Sequence, residues 1–170
     1  VARQPGTESV LVGGVFGSGI TLDPVGRGSA MDADDPRVTE GLRLTVRFLR
    51  EMGETCEAHR IACAVVLLPT KERVYADAAL RRSDLKHGMA LQALVADEAA
   101  AVSMLVAALD ALHLPYVDTL QALQTTRPEG VFGTSQDIHP NAAGYGVIAD
   151  EVAKAMAEWE AADSHANDAN

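Results

Sequence analysis

The sequence predicts an α/β chain of three layers, α/β/α, with a mostly parallel sheet between helices. Three observations carry that reading. Ile61-Ala-Cys-Ala-Val-Val-Leu-Leu68 is an unbroken apolar run closed by Pro69, the pattern of a strand buried on both faces. Helical periodicity lies on either side of it, upstream from Asp35 and downstream from about Met89 to Leu112. Pro115-Tyr-Val-Asp118 then reads as a second short strand, and helix between consecutive strands favours a parallel crossover over a hairpin.

The elements follow in order. Val10-Leu-Val-Gly-Gly-Val-Phe16 is strand-like, and Gly13, Gly14, Gly17 and Gly19 make a flexible turn after it. Asp35-Pro36 opens a helix with Val38, Leu42, Val46, Leu49 and Met52 on one face, widened by Leu44 and Phe48; it ends near Gly53 or runs on toward His59. A short helical or looped segment through Tyr75 and Leu80 follows the strand. A brief helix at 119–124 and a loop at 125–138 lead to the final helix. Pro140 suits its first turn, where a missing N–H costs nothing, and Ala143, Val147, Ile148, Val152, Met156 and Trp159 recur at helical spacing. Residues 162–170 hold nothing apolar larger than Ala and read as a disordered tail. The whole is a single domain over 1–161, since 170 residues suffice for one core that buries about 70% of the unfolded surface.

Composition narrows the partners. With 24 acidic against 14 basic residues the net charge is −10, which disfavours nucleic acid and anionic membranes. The stretch Met89–Leu114 is Ala-rich but interrupted by Asp97, Glu98 and Asp110, so membrane insertion is not expected of it. Cys56 and Cys63 read as small buried hydrophobes rather than a disulfide. Their spacing is not that of a zinc site, and His59, His87, His113 and His165 lie on separate elements, so no metal or cofactor is expected. The chain begins at Val1 without a basic segment leading into an apolar one, from which a truncated amino terminus is expected.

The chemistry concentrates in Asp137-Ile138-His139-Pro140-Asn141-Ala142-Ala143-Gly144-Tyr145, where an acid and an imidazole stand two residues apart just ahead of a strong helix. Alone, Asp137 could equally cap the helix and His139 face solvent. Gly144 beside Tyr145 is otherwise unfavourable in a helix, by roughly 1 kcal/mol against Ala, and implies close packing there. The stretch DIHPNAAGYGVIADEV resembles the last block of the SGNH (GDSL-type) hydrolase superfamily, in which an Asp and a His complete a Ser-His-Asp triad. Many members space the pair D-x-x-H; the shorter D-x-H is similar to the acetyltransferase-like branch related to alginate O-acetyltransferases. Pro69-Thr-Lys-Glu-Arg-Val-Tyr75, together with Arg27–Asp32 and Asp35–Arg43, resembles segments of bacterial cell-envelope proteins of the same group. The resemblance spans roughly Thr21 to Val152 and implies a partial SGNH or flavodoxin-like domain, a place in the cell envelope or periplasm, His139 as general base and Asp137 as its orienting acid.

The superfamily's Gly-Asp-Ser and G-x-N-D blocks do not occur in this chain. Among its serines, Ser18 alone follows a strand-like run, and a plain glycine turn explains that segment better; Ser135 reads as shaping its loop. Lys71 follows the carboxyl end of a strand, where open α/β sheets place ligands, and is a candidate for holding an anionic part of the substrate, or else one of a solvated Lys71–Glu72 pair. Asp118 reads more readily as a helix cap than as a cleft residue. The expectation is therefore a serine esterase or O-acetyltransferase acting on a carbohydrate or lipid ester, with its nucleophile upstream of Val1. The alternatives are a non-catalytic carbohydrate- or protein-binding module and, more weakly, a metal-assisted hydrolase centred on Asp137 and His139. The oligomeric state is left open by the sequence.

Overall fold

In the computed structural model the described residues are 7–12, 18–125, 130–133 and 137–168. Strands β1 (Glu8–Val12) and β2 (Ser18–Leu22) form an antiparallel hairpin, with Glu8 opposite Leu22 and Val12 opposite Ser18. The connecting residues 13–17, which include Gly13, Gly14 and Gly17, lie outside the described residues. Helix α1 (Pro24–Met31) follows at once, with the Asp23 carboxylate accepting from the Gly26 N–H at 3.0 Å and Pro24 at its first position.

Asp35 and Pro36 start α2 (Pro36–His59), as the sequence predicts; the helix passes Gly53 without a break, and Gly53 leaves room for Leu114, which a Cβ would meet at 3.1 Å. It stops at Arg60, which adopts a left-handed conformation (φ 57°) while Ile61 N–H donates to the Cys56 carbonyl. That reversal joins Cys56 to Cys63 in a disulfide, with a Cα–Cα distance of 6.3 Å. Here the structure corrects the reading of two reduced cysteines: the turn that brings them together is made by an arginine, and sequence gives no warning of a left-handed cap without Gly or Asn.

Strand β3 (Val65–Leu67) is shorter than the apolar run that announces it, and that run is not buried on both faces. Ile61 and Leu68 are more than half exposed. The reason is topological, since among the described residues β3 is paired with β4 (Tyr116–Asp118) alone, in parallel register Val65 to Tyr116 and Leu67 to Asp118. Between the two run α3 (Lys71–Leu80) and α4 (Gly88–Ala111), which is the parallel crossover the alternation predicts. Thr70 caps α3 through Oγ1, accepting from the Arg73 N–H at 3.2 Å. α4 ends in a second left-handed non-glycine residue, His113 (φ 53°), where Leu114 N–H reaches back to the Leu109 carbonyl.

By length and composition α4 is, among the described residues, a helix that could cross a membrane despite Asp97 and Glu98. Here it lies against α1, α2 and α3, with Leu91, Leu94, Leu109 and the Glu98 carboxylate buried. Asp118 caps α5 (Leu120–Thr125) through the Leu120 N–H at 3.0 Å. The last helix, α6 (Ala142–Asp168), begins two residues after Pro140, which instead bridges to Phe132. It continues through the segment read as a disordered tail; Ala161, Ala162 and Ala166 favour helix, and extending an existing helix is far easier than starting one.

The core gathers β2, α3, α4, α5, the 130–133 segment and the start of α6. Ile20, Leu22, Tyr75, Leu123, Phe132 and Ile148 are its larger members, and Tyr75 meets Phe132 edge to face at 6.0 Å. The result is an α/β domain, rich in helix, with a small parallel sheet.

Candidate active site

Two segments meet beside this core. One is the turn from β3 into α3, and the other is the loop that precedes α6. The loop is fixed at its far end by Asn141: Nδ2 donates to the Gly130 carbonyl at 2.7 Å, Oδ1 accepts from the Gly144 N–H at 3.0 Å, and the backbone N–H donates to the Val131 carbonyl. Asn141, not Asp137, is thus the helix cap. Gly144 is obligatory where it stands, because a Cβ would lie 2.2 Å from the Val131 carbonyl oxygen. The close packing that its place in the sequence implies is therefore present.

Relieved of capping, the Asp137 carboxylate turns to His139. Oδ1 accepts from the His139 backbone N–H at 3.0 Å and lies 2.8 Å from His139 Nδ1. A side-chain oxygen that accepts from the N–H two residues on makes an Asx turn, so the D-x-H spacing brings acid and imidazole together through the backbone itself. An ionised carboxylate only accepts, so the proton of this contact is on Nδ1 and the lone pair on Nε2. The two N–H donors, the backbone one foremost, hold the Asp137 carboxyl below its ordinary range. Both side chains are about two-thirds exposed, at 60% for Asp137 and 67% for His139.

His139 faces a cleft of about 190 Å³ lined also by Arg27, Pro69, Thr70, Lys71, Tyr145 and Ile148. Lys71 is almost fully buried, and its Nζ donates to the Asp137 carbonyl at 2.9 Å. Burial pushes its pKa down; the neighbouring Glu72 and Asp137 charges oppose that, and Arg27 adds to it. The reading of a Lys71–Glu72 pair on a solvated turn does not hold, for both residues are buried. Glu72 Oε1 accepts from the Asp23 N–H at 2.8 Å, and Oε2 is buried without a hydrogen-bond partner among the described residues. On the other side of the same turn, Thr70 N–H and Oγ1 both donate to the buried Glu98 carboxylate of α4, at 3.0 and 2.5 Å.

Of the residues the sequence singles out, the structure brings Asp137, His139 and Lys71 to one place. Sequence reasoning misses Arg27, Glu98 and Tyr145. Glu98 reads, with Asp97, as an interruption in an apolar helix. Asp118, on its cap, takes no part in this cleft. No serine lines the cleft among the described residues. Ser18 sits four residues from Leu22 along β2, roughly 13 Å at the rise of a strand, away from the Asp23 end that adjoins the site. Ser29 donates to the Gly26 carbonyl, and Ser135 lies outside the described residues. Among those residues, no three His, Cys, Asp or Glu side chains converge as metal ligands.

With an acid–imidazole pair on the loop before the last helix, the family can be read from the whole chain as well. A family described as the SGNH hydrolase-like domain of acetyltransferase AlgX matches residues 29–169. The chain belongs to it. The AlgX-type SGNH match takes in β3, the Thr70–Glu72 turn, the D-x-H loop and α6, so every segment of the cleft except Arg27 falls inside it. Neither a curated protein nor a solved structure matches the chain.

Proposed function

We propose that the cleft is the acid–base half of an acyl-transfer site, working on an acyl ester of a carbohydrate or lipid. The observation that carries the reading is the 2.8 Å contact between Asp137 Oδ1 and His139 Nδ1, which leaves Nε2 as the basic nitrogen. In the reaction, a serine Oγ gives its proton to Nε2 as it attacks the acyl carbonyl. The imidazolium, stabilised by Asp137, returns that proton to the departing alkoxide as the tetrahedral intermediate collapses to an acyl-serine. Water or an acceptor hydroxyl then attacks, again losing its proton to His139. Hydrolysis and O-acetyl transfer share the first half and part only at the second.

The serine and the oxyanion donors come from chain ahead of Val1, in this proposal. Two features support it: no serine lines the cleft among the described residues, and β3, paired among those residues with β4 alone, has an edge on which a further strand can add. The first of these also favours a second reading, a non-catalytic module in which the same cleft binds a carbohydrate or protein. A serine-directed fluorophosphonate separates them. We expect the 170-residue chain to remain unlabelled and the full gene product to be labelled at one serine. Labelling of the short chain, abolished by Ser18→Ala, would overturn the placement of the nucleophile, and no labelling of either would favour the binding module.

A further inference from the structure

Lys71 is 2% exposed and carries a charge, a costly combination unless something is gained by it. Its Nζ spends a hydrogen bond on a backbone carbonyl 66 residues away, that of Asp137. The base of this side chain is itself anchored. Thr70 is tied to Glu98 of α4, Glu72 to the Asp23 N–H ahead of α1, and the two anchors flank Lys71 in the first turn of α3. The object it holds is different in kind, since the Asp137 and His139 side chains stand about two-thirds in solvent and packing does not fix them. Asn141 secures the loop on its helix side; Lys71 grips it on the other side of His139.

We propose that Lys71 is a positioning residue: by holding the Asp137 carbonyl it fixes the turn in which Asp137 Oδ1 receives both His139 N–H groups, and so selects the Nδ1–H tautomer of His139. The catalytic consequence, a free Nε2, rests on the function proposed above, whereas the structural claim stands without it. Holding an acidic substrate group is a separate role, and a cation so enclosed is better placed to serve the loop than a solvated anion.

The test is tautomer-resolved nitrogen NMR on the 170-residue chain labelled at its histidines, at a pH where His139 is neutral. Wild type and Lys71→Arg should show Nδ1–H predominating. Lys71→Met, of similar length but with no donor, should move His139 toward the mixture of an unrestrained imidazole and speed exchange of its backbone amide at least tenfold. A folded Lys71→Met with the wild-type tautomer would overturn the inference. Should that variant not fold, the wild-type ammonium decides: a resolved, slowly exchanging Nζ signal coupled to the Asp137 carbonyl supports the contact, and a freely exchanging one refutes it. A tautomer that responds to Lys71→Met in a protein without esterase activity would support the positioning role and count only against the acyl-transfer reading.

Discussion

The turn that opens α3 carries Thr70, Lys71 and Glu72 and is closed, whereas α2 carries an apolar stripe and stands open. Lys71 and Glu72 are buried and Thr70 half-buried, the three are tied to three separate segments, and the adjoining core of Tyr75, Phe132 and Ile148 is sealed. Across α2, by contrast, no residue is fully buried, and Phe48 stands 61% exposed. The apolar pattern of a segment states what it can bury against. Whether burial occurs depends on a covering partner, and in the closed region that partner is supplied by long-range polar contacts as much as by packing.

The largest expected effect tests that contrast directly. Phe132→Ala should cost about 3–5 kcal/mol, because it removes a ring from a sealed core, while Phe48→Ala on the open face should stay within about 0.5 kcal/mol. Urea unfolding of the two variants measures both, and equal losses would break the comparison. A smaller pair sharpens it. Gly144→Ala forces a methyl onto the Val131 carbonyl and should destabilise by roughly 1–3 kcal/mol, whereas Gly41→Ala meets nothing within 4 Å in exposed α2 and should stabilise by about 0.5–1 kcal/mol. Opposite signs from the same substitution are the expected result of the same unfolding experiment.

The smallest effect is a titration. Asp137 is held below its ordinary range by the His139 N–H donors, so the interaction is complete above the unfolded value of about 3.9 and is lost as pH falls through the lower folded value. Carbon NMR of the side-chain carboxyl should place its midpoint below that of an unstructured Asp. His139→Ala keeps the backbone donor and removes the imidazole, so the midpoint should rise part of the way. A wild-type midpoint at or above the ordinary value would contradict the Asx turn.

Much of this was legible in the sequence, and the remainder was not for identifiable reasons. Asp35-Pro36 and the 3.6-residue spacing announce α2, and the alternation of elements announces the parallel β3–β4 pair. The D-x-H pair is readable because the Asx turn is local, needing only one intervening residue. The disulfide was misread because Arg60, a poor candidate for a left-handed cap, makes the reversal. α1 passed unnoticed although Asp23-Pro24 is the same start signal as Asp35-Pro36. Lys71 was found by its place after a strand, but its partner is a backbone carbonyl far along the chain, and no spacing rule reports a contact of that kind.

The central claim is that His139, set by Asp137, is the base of an acyl-transfer reaction. Turnover of an activated acetyl ester by the upstream-extended protein proposed above, compared with its His139→Ala variant, tests it most directly. The account predicts a loss of roughly a thousandfold or more in kcat with the fold unchanged, since a triad loses most of its rate with any one member. Equal turnover by the two proteins would contradict it.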